Sequence, residues 1–236
     1  VNKIWLIVGG IFSALEPLAF LAMALFAVNM YRKGEKSHPN KIALFWTIGA
    51  SIVSFVGAGL LGFAHTLPQT NIFTHGTLVT AMHGHYAFWG AYAMIVLAII
   101  SYALPNMTGR KRYNTTQGHM AFWLSNVGML GMTVAFGVAG VAQVYLERKQ
   151  KLDFMDVQNE VAVHFVVLLL CATLFTTGIV MFIIEFIKYG RPTDEALEKE
   201  IQNIRGQIYF GGKPRPIEQS CRCDFWFRFF KTKKLC

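Results

Sequence analysis

Charge is scarce in this sequence. Only 15% of its 236 residues are charged, against about a quarter in an average soluble domain. With 54% hydrophobic and 14% aromatic residues and a mean hydropathy of +0.41, that scarcity excludes an ordinary soluble globular domain. Acidic residues are fewer than basic ones, 13 against 22, for a formal net charge of +9. In a soluble protein such an excess would suggest a nucleic-acid partner. Lysine and arginine are absent from every long apolar stretch, however, and no basic helix remains once those stretches are set aside, so no nucleic acid is expected. Cysteine is scarce as well. Cys171 lies inside an apolar stretch, and Cys221, Cys223 and Cys236 fall in the last 16 residues, on the side the charges make cytoplasmic, where disulfides do not persist. A lone Cys-x-Cys pair without histidines nearby is a poor metal site. The chain opens on Val without a basic leader or cleavage site and is expected to be the C-terminal part of a longer polypeptide.

What is present are uncharged apolar runs of bilayer length, about 20 residues or more at 1.5 Å rise each. Five spans are expected, near Ile4–Met30, Ile42–Ala64, Gly76–Leu104, Met120–Leu146 and Val161–Ile187. The fold class is therefore all-α, a polytopic transmembrane bundle over residues 1–190 with a basic tail over 191–236. Between the spans, Lys3, the uncharged His65–Thr77 loop and Arg148, Lys149 and Lys151 alternate with groups that are richer taken together. These are four basic residues around Arg32–Lys41, three at Arg110–Arg112 and 11 from Lys188 onward. The positive-inside rule then places the N-terminus outside and the tail in the cytoplasm. Small residues at near-helical spacing, Gly57, Gly59 and Gly62 in the second span and Gly128, Gly131, Gly137 and Gly140 in the fourth, suit close helix packing. Trp5, Tyr31, Tyr102, Tyr145 and Tyr189 suit an interfacial belt. In the tail, residues 193–205 could form an amphipathic helix and the basic-aromatic end could lie on anionic lipid, or the whole could be poorly ordered without a role.

Ionisable residues inside a membrane are costly, so each is a functional candidate. They are Glu16, His83, His85, His164 and, near an inner helix end, Glu185. His83 and His85 are two residues apart, about 200° around a helix, so they point to opposite sides and cannot grip one ion from one face. Such a pair fits a helix standing between two haems, each imidazole an axial ligand to one. Gly84 and Gly90 would leave room for a macrocycle, and Tyr86, Phe88, Trp89 and Tyr92 could pack on its faces. Counted from the outer end of the span, the pair lies about 10–14 Å deep. Two structural histidines bonded to neighbouring helices are the alternative.

Glu16 is followed by Pro17, which cannot donate to the Ser13 carbonyl, so a bend with an exposed polar backbone group is expected beside a carboxyl. Such a site could take up and release protons, or hold a protonated Glu bonded to a neighbouring helix. His164, Asn126, Thr173, Thr176 and Thr177 are expected to make interhelical hydrogen bonds. His65 and His75 bracket an outer loop at the level where haem propionates would emerge, and His38 and His119 sit near inner helix ends without an assigned role.

The stretch THGTLVTAMHGHYAFWGAYAMIVLAIISYALP, Thr74–Pro105, together with FSALEPLAFLAMALFAVNM, Phe12–Met30, resembles the large catalytic subunit of bacterial nitric-oxide reductase, a relative of the haem–copper oxidases. The resemblance runs from about Trp5 to about Ile187, five of that subunit's twelve or more helices. It implies that His83 is the proximal ligand of a high-spin haem b, that His85 is one axial ligand of a low-spin haem b, and that Glu16 is the catalytic glutamate assisting proton delivery or shaping the iron site. The cofactors implied are two haem b groups, a non-haem iron and a calcium ion at the haem propionates. The implied reaction reduces two NO with two electrons and two protons to N2O and water in a bacterial inner membrane. Electrons would come from a small cytochrome c subunit or from quinol. In the family the iron is held by three histidines and a glutamate, and the second low-spin ligand is a further histidine, all on helices preceding this region. No His-His dipeptide occurs here, so upstream helices of the same subunit, or another polypeptide, are expected to complete the site. An oxygen-reducing oxidase of the C type and a non-catalytic bundle are the competing readings.

Overall fold

A computed structural model describes residues 3–33, 40–108 and 115–188. Among them are nine α-helices and three π-helical turns, and no strand. The helices are α1 (Lys3–Ser13), α2 (Glu16–Lys33), α3 (Lys41–Ser54), α4 (Gly62–Thr66), α5 (Pro68–Thr74), α6 (Leu78–Phe88), α7 (Met94–Thr108), α8 (Thr115–Val144) and α9 (Phe154–Lys188). The π turns are Phe55–Leu61, Trp89–Ala93 and Tyr145–Lys149. Joined end to end, these elements make five stretches long and apolar enough to cross a membrane: Ile7–Lys33, Lys41–Thr66, Leu78–Pro105, Thr116–Lys149 and Phe154–Ile187. The expected five spans and the all-α class are thus found. The tail and its cysteines, Tyr189 and His38 lie outside the described residues.

The bundle is built on aromatic side chains that interlock edge to face. Trp46 of α3, fully buried, meets Trp89 at 6.1 Å, Phe122 of α8 at 5.1 Å and Phe182 of α9 at 5.8 Å between ring centroids, all at steep interplanar angles. Rings in that geometry attract through their quadrupoles beyond the area they bury. Around them small residues let backbones touch, as membrane packing needs when lipid is as apolar as leucine. A Cβ at Gly128 would collide with the backbone of Phe175, and one at Gly57 would stand 2.8 Å from the Tyr86 carbonyl carbon. Gly90 behaves the same way, contrary to expectation. Its missing Cβ faces Ser54 and Val53 of α3 at 2.6–2.7 Å, so it serves helix packing and leaves no room for a macrocycle. Gly84 is the open one, with nothing within 4 Å.

Two helix starts differ from expectation and both matter. The first span does not merely bend at Pro17. It stops at Ser13, passes two non-helical residues and restarts at Glu16, which puts Pro17 in the first turn of α2, where a missing N–H is no loss. The third span starts at Leu78, because Gly76 turns the chain at φ 76° and Thr77 caps Val79 N–H through its hydroxyl. His83 and His85 are therefore about 7.5 and 10.5 Å along the axis from the helix start.

α7 continues through Pro105, which cannot donate to the Ser101 carbonyl one turn back. Asn40 supplies the missing bond. Its Nδ2 donates to that carbonyl at 2.7 Å while its Oδ1 caps α3 by accepting from Ala43 N–H at 3.0 Å. One side chain thus satisfies orphan backbone groups of two helices.

Candidate functional site

The second span widens into a π turn at Phe55–Leu61, where i+4 hydrogen bonds give way to i+5 ones and carbonyls at the changeover become available to other donors. Gly57 is in that turn, and its carbonyl accepts from His83 Nδ1–H at 3.0 Å. A carbonyl only accepts, so neutral His83 carries its proton on Nδ1 and keeps a lone pair on Nε2. That is the arrangement by which a backbone carbonyl orients a metal-binding imidazole. The Nε2 edge reaches the bare face of Gly62: a Cβ there would lie 3.3 Å from His83 Cε1 and 3.9 Å from its Nε2. Glu16 Oε2 approaches the same point, also to 3.9 Å. The break that starts α2 at Glu16 and the π turn that presents Gly57 and Gly62 thereby bring a carboxyl and an imidazole together beside one glycine.

His85 points the other way. Its Nδ1–H donates to the Ala81 carbonyl at 2.8 Å, again leaving Nε2 with a lone pair, and its ring leans on Phe136 of α8, centroids 5.0 Å apart. It lines an open, apolar groove of about 910 Å³ with Gly84, Phe88, Tyr92 and Met129. Phe88 and Tyr92 stack at 5.4 Å, tilted 29°. Both have the flat apolar faces a macrocycle would meet. Trp89 touches this groove too but is chiefly a core residue, its indole N–H donating to Asn126 Oδ1 at 3.1 Å. Asn126 makes the interhelical bond expected of it.

Other polar candidates are used differently. His164, Thr173, Thr176 and Thr177 bond carbonyls of their own helix, at Val161, Leu170, Ala172 and Thr173, and are not interhelical ties. A polar side chain on a lipid-facing helix satisfies itself most cheaply on the preceding turn. Glu185 is buried against Gly118, and His119 meets the Phe45 ring edge-on at 4.6 Å. His75 is exposed at the end of α5. His65 is closer to the centre than its loop position suggested. Its Nε2–H donates to Val79 O at 3.1 Å, and its ring lies 5.3 Å from that of His83. The antiparallel pairing of the second and third spans across a short connection is the signal that could have found it. Among the described residues no group of three or more His, Cys, Asp or Glu side chains could hold a metal ion.

Five apolar spans, the third carrying two oppositely directed imidazoles, define a multi-pass membrane protein. Residues 1–195 match the family described as Cytochrome C and Quinol oxidase polypeptide I, and the chain belongs to that family. Membership implies haem and metal cofactors. The chain is also 42% identical over 196 residues to a nitric oxide reductase subunit of Stutzerimonas stutzeri, an alignment covering 80% of this chain and 41% of that protein. The chain thus spans about two fifths of the length of the curated relative it matches.

Proposed function

We propose that this chain carries, on each side of its third span, one histidine that would hold a haem within a membrane nitric-oxide reductase, which converts two NO, two electrons and two protons to N2O and water. The observation that carries this reading is the pair of imidazoles fixed through Nδ1 on opposite sides of one helix, in a chain 42% identical to a nitric oxide reductase subunit. That relative's name supports NO over oxygen as substrate.

His83 Nε2 would hold the iron of a high-spin haem b and His85 Nε2 that of a low-spin haem b. The residues fit these groups: both outer nitrogens are bare, Gly84 is open, and an apolar aromatic groove flanks His85. When bound, the haems and a non-haem iron supply electron transfer and the binding of NO. The Gly57 carbonyl fixes the ring plane of His83, and the Ala81 carbonyl that of His85. Glu16, on the Gly62 side of His83, takes up a proton and releases it toward the substrate. Ligands of the non-haem iron, the second low-spin ligand and those of a calcium ion at the propionates come from other helices or polypeptides. Electrons arrive from a cytochrome c subunit or from quinol. The charge alternation supports an inner-membrane orientation with Lys3 periplasmic and the 191–236 segment cytoplasmic.

The test uses the complete protein with its remaining helices. His85→Ala is expected to abolish the low-spin haem signal in electronic and paramagnetic resonance spectra while sparing the high-spin one, and His83→Ala to do the reverse. Retention of both signals in both variants refutes the assignment, and a colourless wild-type protein refutes haem binding altogether.

A further inference from the structure

The helix that carries both histidines begins with an amide held from another span. Leu78 is the first residue of α6, so its N–H has no partner within the helix. It donates to Gln143 Oε1 at 2.8 Å, across 65 positions of sequence. Gln143 is only 4% exposed, near the end of α8, and its Nε2 donates in turn to Glu147 Oε1 at 2.7 Å, in the π turn that follows. Gly140, one turn earlier on α8, brings the two backbones into contact, since a Cβ there would strike Val79 N. His65, on α4, holds the same turn from another side through the Val79 carbonyl.

We propose that Gln143 is a positioning residue for His83 and His85: its amide sets the height and rotation of α6, and with them where the two imidazoles stand. Small residues let the helices touch, and a directional hydrogen bond at the helix start adds a fixed height and rotation to that packing. Glu147 makes the setting single-valued. With the amide flipped, Nε2 would face the Leu78 N–H and Oε1 would face the Glu147 carboxylate, two repulsive contacts in place of two bonds. Removing the side chain leaves a part-buried N–H without its partner. The spectroscopic part of this inference rests on the haem reading above; the structural part does not.

The experiment compares four forms of the complete, haem-loaded protein: wild type, Gln143→Leu, Gln143→Glu and the exchange Gln143→Glu with Glu147→Gln. Hydrogen exchange over residues 78–85 is expected to accelerate about tenfold in Gln143→Leu, the scale of a hydrogen bond lost. The signals of both haems should shift and broaden together. Gln143→Glu sets two carboxylates side by side and should reproduce the defect. The double exchange rebuilds both bonds, a carboxylate accepting from Leu78 and an amide donating to it, and should restore exchange rates and spectra. Wild-type exchange in Gln143→Leu, unchanged spectra alongside a lowered melting temperature, or no rescue by the double exchange would each overturn the proposal. If the wild-type protein binds no haem, the functional reading fails, and the exchange rates alone decide whether Gln143 holds α6.

Discussion

Replacing Asn40 by alanine removes two hydrogen bonds that serve two helices. The cap on Ala43 N–H is worth about 1 kcal/mol by comparison with other N-caps. The Ser101 carbonyl, which Pro105 cannot satisfy, then loses its donor at a further cost of about 1–3 kcal/mol. Together the loss should be about 2–4 kcal/mol. In a Pro105→Ala background the new alanine N–H donates to Ser101 from within the helix, so Asn40→Ala should cost only its cap, about 1 kcal/mol. Asn40→Asp isolates the other half, keeping the cap acceptor while setting a carboxylate against the carbonyl. The assay is reversible denaturant unfolding in mixed detergent micelles, with wild type, the two single alanine variants and their combination closed into a double-mutant cycle. Equal costs of Asn40→Ala in the two backgrounds, to within about 0.5 kcal/mol, would mean that the Asn40–Ser101 bond does not replace the missing helical one.

Gly90→Leu is expected to destabilise by more than about 3 kcal/mol, at or beyond the upper end of ordinary overpacking, because backbone of α3 stands in the way. Gly84→Ala should stabilise by about 0.5–1 kcal/mol, since nothing lies within 4 Å of the new methyl and alanine is the better residue inside a helix, and the same micelle titrations check both. Glu16→Gln should retain both haem spectra while lowering NO turnover about a hundredfold, as losing a proton-transfer group does; turnover at the wild-type rate would remove Glu16 from the proton path.

Much of the architecture was legible because a bilayer leaves few options. Runs of uncharged residues had to be helices, and the two-residue spacing of His83 and His85 had to separate them around one. Details that depend on two elements meeting were not legible. Glycine reads the same whether it makes room for a ligand or for a neighbouring backbone, and only α3 lying against Gly90 decides between them. Pro17 marked a disruption, but whether a helix kinks or restarts depends on what receives it, here Gly59 and Gly62 of the second span. The Asn40 and Gln143 bonds join residues 61 and 65 positions apart. Amide side chains at helix ends gave no hint of which distant backbone they would reach. The threonines of α9 depart from expectation because isolated polar groups on an apolar helix suggest a neighbour, although the turn below them was always the nearer acceptor.

The π turn at Phe55–Leu61 amounts to one extra residue wound into an otherwise regular rod. Loss of a single codon there would let the rod relax to about 3.6 residues per turn with the helix on either side still in register, because the wide turn is what absorbs the extra residue. The carbonyls freed at the changeover would return to helical bonds, and His83 would lose the Gly57 acceptor that now holds its ring. For this stretch of gene, a reading-frame-preserving loss of three bases would act as a mutation of the distant His83.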